Sequence, residues 1–166
     1  RQLQKNLIMS HSCGVGNPLS EEIVRAMMLL RANALSKGYS GIRCETLDVL
    51  ISMLNKGVHP IVPEKGSLGS SGDLAPLSHM VLTMLGLGEA IYKGVKMESK
   101  DAMEKAGIKP LEYLGAKEGL ALINGTQCMT AVGAITIYDA MNLMKTADIS
   151  LCLTMEALNG ITCAMD

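Results

Sequence analysis

The sequence has no Phe and no Trp, and only four Tyr. Its core must therefore be built from aliphatic side chains and from its thirteen Met, a residue that fills irregular gaps between helices. A basic stripe is missing too: Lys and Arg are scattered and the net charge is -1, which argues against a nucleic-acid partner. The five cysteines, Cys13, Cys44, Cys128, Cys152 and Cys163, are odd in number and show no CxxC spacing. That pattern disfavours a zinc site or a disulfide framework, and buried free thiols in a reducing cytoplasm are expected. No signal peptide is evident, and a first residue of Arg1 rather than Met suggests a piece excised from a longer chain. The uncharged stretch from Gly119 to Tyr138 has the length of a membrane span. It also contains Asn124, Thr126, Gln127, Thr130 and three glycines, so a core helix is expected and no membrane partner.

What is present is globular and helical. The chain of 166 residues is 48% apolar and 19% charged, enough for one domain burying about 70% of its unfolded surface. Helical spacing runs through residues 19–37, with acids in the first turn and Gly38 as a C-terminal cap. Residues 45–56 repeat it, with Leu47, Leu50, Ile51 and Leu54 on one face and Gly57 closing the helix. A third helix is expected from Asp73, with Pro76 in its first turn and Leu77, Met80, Val81 and Met84 buried. Residues 93–109 hold eight charged residues and read as a solvated excursion with a short helix ending near Gly107. The patch "LINGTQ" precedes a long helix from about Thr126 to Leu158. Convincing period-two strands, repeats and linkers are absent, so the expectation is an all-α bundle, residues 1–166 forming a single helical piece.

One stretch departs from this plainness. "GSLGSSGDLAP", Gly66 to Pro76, places two serines among glycines directly before a helix. Apolar helices flank it, which argues against a flexible linker. A phosphate-binding loop of the GxxxxGK[ST] type would need Lys where Asp73 stands, and a carboxylate there would repel an anion. The GxSxG elbow of serine hydrolases does not fit Gly69-Ser70-Ser71-Gly72 either. Spacing alone leaves a tight structural turn open.

"GSLGSSGDLAPLSHM" resembles the signature of the aromatic amino-acid lyase family. The segments "SHSCGVG" (Ser10 to Gly16), "LRANALSKGYSGIR" (Leu30 to Arg43) and "KEGLALINGTQ" (Lys117 to Gln127) resemble further family segments in the same order. The resemblance implies an all-α, long-helix bundle of the aspartase/fumarase-like kind, interrupted by the Gly-rich loop. It also implies that Ser70-Ser71-Gly72 cyclises on itself to give 4-methylideneimidazol-5-one (MIO), with no external cofactor and no metal. Ring closure brings the Gly72 nitrogen to the Ser70 carbonyl carbon, a compression that glycine permits most readily. The Ser71 hydroxyl then leaves as water, creating a carbon electrophile at a helix N-terminus. The family's usual first triad residue is Ala. Ser70 departs from it, but its side chain stays outside the ring.

The resemblance assigns Asn124 to the active site, where it would contact cofactor or substrate; Asn124 could equally cap a helix. Asp73 would orient the triad or cap the helix after it. Ser10-His11 resembles the pair of the histidine-specific branch, where the His faces the substrate's imidazole, a ring with a donor and an acceptor that suits a polar partner; alternatively His11 only satisfies a backbone group. The implied reaction is elimination of ammonia from L-histidine to give urocanate, in a cytoplasmic homotetramer acting on a small amino acid; a phenylalanine or tyrosine ammonia-lyase, an aminomutase, or a non-catalytic helical assembly fragment stays open as the alternative. The family's general base is a tyrosine from an upstream segment, so the isolated piece is expected to be inactive. His79 is expected to be a hydrogen-bonded core residue, His59 a structural loop residue, and Tyr39 structural.

Overall fold

The computed structural model describes residues 2–165. Helices dominate it, as the composition implies. The first unit, residues 1–131, opens with α1 (Gln2–His11) and β1 (Val15–Pro18), followed by α2 (Glu21–Ser36) and α3 (Cys44–Lys56). Two short strands follow, β2 (Val58–Pro60) and β3 (Pro63–Lys65), and then α4 (Leu74–Met84). A hairpin of β4 (Glu89–Tyr92) and β5 (Val95–Glu98) leads into α5 (Ser99–Lys105) and α6 (Glu118–Ile123). The last helix of this unit, α7 (Gln127–Ala157), continues into the second unit, residues 132–166, which ends in a 3-10 turn at Thr162–Met165.

The helix boundaries follow local chemistry. At the start of α2 the Ser20 hydroxyl accepts the Ile23 N–H, and two acids, Glu21 and Glu22, sit in the first turn where the helix dipole favours them. Gly57 ends α3 in the left-handed conformation, at φ 72°, where a residue with a Cβ would be strained. Pro76 sits in the first turn of α4, where its missing N–H has no helical partner to lose. The buried face of α3 differs from the expected one. Thr46, Leu50 and Met53 are buried, whereas Ile51 is 37% exposed and Leu47 and Leu54 are half-buried.

The architecture is helix-dominated, as the all-α reading implies; the five short strands correct only the expectation of none, and His59 lies in β2 rather than in a loop. Each strand is only three or four residues long, too short to display alternation. β2, β4 and β5 form one antiparallel sheet, with His59 opposite Ile91. β1 and β3 pair antiparallel, Val15 opposite Lys65 and Pro18 opposite Pro63. This ribbon joins the end of "SHSCGVG" to the residues just before the Gly-rich loop, and so brings two distant motifs to one place.

The core lies between α1, α4 and α6 and between α2 and α3. Six Met are wholly buried there: Met27, Met28, Met53, Met80, Met84 and Met103. Each contributes about 1.5–3 kcal/mol by leaving water, and their flexible thioethers do the filling that aromatic rings do elsewhere. The cysteines correct a second expectation. All five are free, but only Cys128 is buried.

One buried carboxylate fixes α6 against α3. Glu118, the first residue of α6, accepts hydrogen bonds from the Arg43 backbone N–H (3.0 Å) and side-chain Nε (3.0 Å), and from the Thr46 hydroxyl (2.9 Å). The Gly115 N–H (2.5 Å) adds a fourth contact. Burial alone would raise its pKa, but the hydrogen bonds from Arg43, Gly115 and Thr46 outweigh burial and hold it below the ordinary carboxylate value.

In the second unit α7 carries a run of exposed apolar side chains, including Ile137, Tyr138, Met141, Met144, Leu151 and Leu153. By length and composition Glu118–Ala157 could cross a membrane, with a mean hydropathy of 1.4, although the helix breaks at Asn124–Thr126.

Glu118→Ala should lower stability by about 3 kcal/mol at neutral pH, near the lower end for breaking a buried pair because Arg43 keeps part of its surface in water. Since the folded-state pKa is depressed, this contribution is present above the ordinary carboxylate value of 4.5 and disappears as pH falls through the lower folded value. Urea midpoints of the two proteins measured across acidic pH should therefore converge.

Candidate active site

The Gly-rich loop changes character along its length. Ser70 and Ser71 are exposed, whereas Gly72 and Asp73 are buried immediately before α4. Gly72 adopts φ 148°, a region that side chains rarely enter. A Cβ there would also lie 2.7 Å from Asn124 Oδ1 and 2.7 Å from the Gly125 nitrogen. Only glycine fits on both counts.

Asp73 anchors this arrangement. Its N–H donates to the Gly125 carbonyl at 2.6 Å. Its carboxylate accepts the Ser67 hydroxyl at 2.7 Å and the Met129 N–H at 2.9 Å. Asp73 stands at the start of α4 but its side chain does not cap that helix. It satisfies a free N–H in the first turn of α7 instead, a role that proximity in sequence could not show. Burial and the nearby Asp73 charge push the Cys128 thiol up to about 11, so it remains protonated and is not a nucleophile at neutral pH.

Asn124 closes α6 rather than opening a helix. Its backbone is extended, its N–H donates to Leu120, and its side-chain oxygen abuts Gly72. The break between α6 and α7 therefore forms the wall against which the triad is held.

Ser10, His11, Ser70, Ser71 and Gly72 line one cleft of about 200 Å³, with Cys13 and Leu74 among its other walls. His11 ends α1, and its Nδ1 lies 2.9 Å from the Leu7 carbonyl and 3.1 Å from the Ser10 hydroxyl. A carbonyl can only accept, so Nδ1 carries the proton and Nε2 is left as an acceptor. Among the described residues no hydrogen bond holds Nε2, nor the hydroxyls of Ser70 and Ser71. A larger hollow of about 390 Å³ opens beside Arg43 and Lys109, but both cations are already paired, with Glu118 and Glu112 respectively.

His79 is hydrogen-bonded, as expected, and its partner is informative. On α4, its Nε2 accepts the Gly14 N–H at 3.0 Å, tying the loop after His11 to the helix that follows the triad. His59 is buried and within 3.1 Å of Glu21, in a structural role. Tyr39 is 93% exposed and lines no part of the cleft.

Two residues that the sequence reading gave no site role help to build this wall. Arg31, buried on α2, donates to the Ala121 carbonyl, to the Asn124 carbonyl (3.1 Å) and to Gln127 Oε1 (2.8 Å). Both Arg31 and Gln127 also crowd the space beside Gly125. The signal was available: Arg31 falls at a core position in the series Val24, Met27, Met28, Arg31, Leu35.

Burial holds the pKa of His79 below 6.5. Its neutral form is favoured in the folded chain, so stability is complete above pH 6.5 and declines as pH falls towards the lowered folded value. His79→Gln should reduce that decline, which thermal unfolding between pH 5 and 7 would show; an unchanged slope would mean His79 is not its source.

Comparison with known proteins agrees with this geometry. The family model described as "Aromatic amino acid lyase" matches residues 1–166. The histidine ammonia-lyase of Alkaliphilus oremlandii (strain OhILAs) is 70% identical over 164 residues, 99% of this chain and 32% of that protein. The crystal structure of histidine ammonia-lyase from Trypanosoma cruzi superposes with a TM-score of 0.93 at 42% identity, covering 99% of this chain and 32% of that one. A phenylalanine aminomutase of Pantoea agglomerans superposes with a TM-score of 0.83 at 42% identity, over 88% of this chain and 28% of its own. The chain spans about a third of the length of the curated relatives it matches. With a match running from its first residue to its last, around a glycine that tolerates no side chain, the chain belongs to the aromatic amino acid lyase family.

Proposed function

We propose that the protein of which this chain forms a part eliminates ammonia from L-histidine to give urocanate, at an MIO group made from Ser70-Ser71-Gly72. The observation that carries this reading is the shared cleft, which sets Ser10-His11 beside the triad. The residues fit the group. Gly72 is buried in a conformation suited to glycine, Ser71 is unbonded and exposed, and α4 begins directly after Asp73. Once formed, MIO supplies a carbon electrophile that no ordinary side chain offers.

The chain's own residues account for recognition. His11 holds its proton on Nδ1 against Leu7, so Nε2 accepts a hydrogen bond from an imidazole N–H. A phenyl ring offers no such donor, and seating it would take this acceptor out of water without a partner, which disfavours it. Ser10 donates to Leu7 and stands 3.1 Å from His11, which fixes the ring's orientation. The α4 N-terminus places positive potential beside the triad, and Asn124 supplies an amide oxygen at its edge.

A phenol also carries a donor, so the similarity to the tyrosine aminomutase of Streptomyces globisporus, 44% identical with a TM-score of 0.86, keeps a tyrosine-like substrate as the second reading. The unpaired apolar run of α7 supports assembly into a homo-oligomer, a tetramer by family resemblance, rather than a membrane segment. Five free cysteines, four of them exposed, fit a reducing cytoplasm. The 166-residue piece is inactive alone on this reading, since the family resemblance assigns the general base to an upstream tyrosine and the chain spans about a third of its relatives' length.

In the full-length protein, intact-mass measurement should show a deficit of two water molecules and release of urocanate from L-histidine. Ser71→Ala should abolish both, and a wild-type chain of full mass would refute the MIO assignment. His11→Leu should preserve the mass deficit while lowering kcat/KM for L-histidine by about tenfold or more, the usual cost of an unpaired polar group at a specificity site. An unchanged substrate profile would remove His11 from recognition.

A further inference from the structure

Arg31 is an ion without a counter-ion. It is 4% exposed, and among the described residues every acceptor it uses is neutral: two backbone carbonyls and the Gln127 amide. Among the described residues its Nε has no partner. Burial pushes its pKa down to about 10, which still leaves it charged at neutral pH. A charge kept under these conditions, where an aliphatic side chain would fill a core position at lower cost, points to a positional task.

Its placement says what is positioned. The carbonyls of Ala121 and Asn124 belong to the end of α6, where the helix dipole is negative and a buried cation is favoured. Gln127 is the first residue of α7. The guanidinium fork therefore spans the break and sets how far apart the two helix ends stand. Gly125, inside that break, receives the Asp73 N–H, and Asn124 Oδ1 and the Gly125 nitrogen form the tight wall beside Gly72.

We propose that Arg31 is a positioning residue for self-cyclisation of the triad: by gripping Ala121, Asn124 and Gln127 it holds the wall that keeps Gly72 pressed towards Ser70. This rests on the MIO reading above. In the step it serves, the Gly72 nitrogen bonds to the Ser70 carbonyl carbon. The carbonyl oxygen leaves as water, with the hydrogens of the Gly72 and Ser71 nitrogens. The Ser71 hydroxyl leaves with its α-hydrogen as a second water. No oxidant or other reactant is required. Arg31 touches none of the reacting atoms and acts through the Asn124–Gln127 segment.

The test is made in the full-length protein. Newly synthesised chains are quenched at intervals and weighed intact, so that the rate of the two-water loss is read directly. Arg31→Lys keeps the charge but loses the fork, and should slow the loss by about tenfold or more, as expected for losing a charged hydrogen bond that supports the reacting geometry. Gln127→Ala removes one arm of the grip and should slow it by a smaller factor. Amide exchange supplies the readout that a merely structural role would not move. The Asp73 and Met129 amides should lose protection in Arg31→Lys while the rest of α4 keeps its own. Wild-type rates of water loss in folded Arg31→Lys and Gln127→Ala, or uniform loss of protection, would overturn the proposal. If Arg31→Lys does not fold, Gln127→Ala alone decides. A wild-type chain that never loses water removes the MIO reading and this inference together, whereas a wild-type loss matched by the variants removes only this one.

Discussion

The structure around the cleft depends on one backbone hydrogen bond, from the Asp73 N–H to the Gly125 carbonyl at 2.6 Å. It draws the end of the Gly-rich loop against the break between α6 and α7, and leaves no room for a Cβ on Gly72. The Asp73 carboxylate reinforces it from two sides, through Ser67 in the same loop and Met129 in α7. One residue thus fixes a loop, the start of one helix and the start of another. The β1–β3 ribbon performs the matching task for the other motif, carrying the loop after His11 to the same cleft.

Two buried ions near these elements are stabilised in different ways. Glu118 is neutralised by Arg43, so its charge contributes to stability only where the carboxylate is ionised. Arg31 is solvated by peptide carbonyls and an amide, which are dipoles fixed in place by the surrounding helices. The first arrangement locks α3 to α6. The second holds two helix ends at a fixed separation. Methionines rather than aromatic rings fill the interior around them, and an unbranched thioether adapts to whatever gap such polar constraints leave.

Helix α4 was the most legible element, because Leu77, Met80, Val81 and Met84 are all buried at the spacing the residues display. The length of α7 was equally plain. The strands were not, because pairing of three or four residues is decided by tertiary context rather than by pattern. The triad could be named through family resemblance, whereas spacing alone left a structural turn equally open. Neither route could place the Asp73 carboxylate on α7 or the His79 ring on Gly14, since these contacts join residues 56 and 65 positions apart. Asn124 was expected in the site from family resemblance, yet its position at the end of α6 required the fold. Arg31 was visible as a charge in a core register, but nothing in the sequence indicated that its acceptors would all be neutral.

The break between α6 and α7 also has a consequence for the order of synthesis. The triad and the helix it precedes emerge from the ribosome long before residues 124–129, yet those residues form the wall that confines Gly72. A growing chain that has emerged through α4 but not α6 has the serines but not their enclosure. Confinement therefore waits on residues that follow the triad in the chain, and a polypeptide cut short before Met129 lacks the anchor of Asp73 on α7.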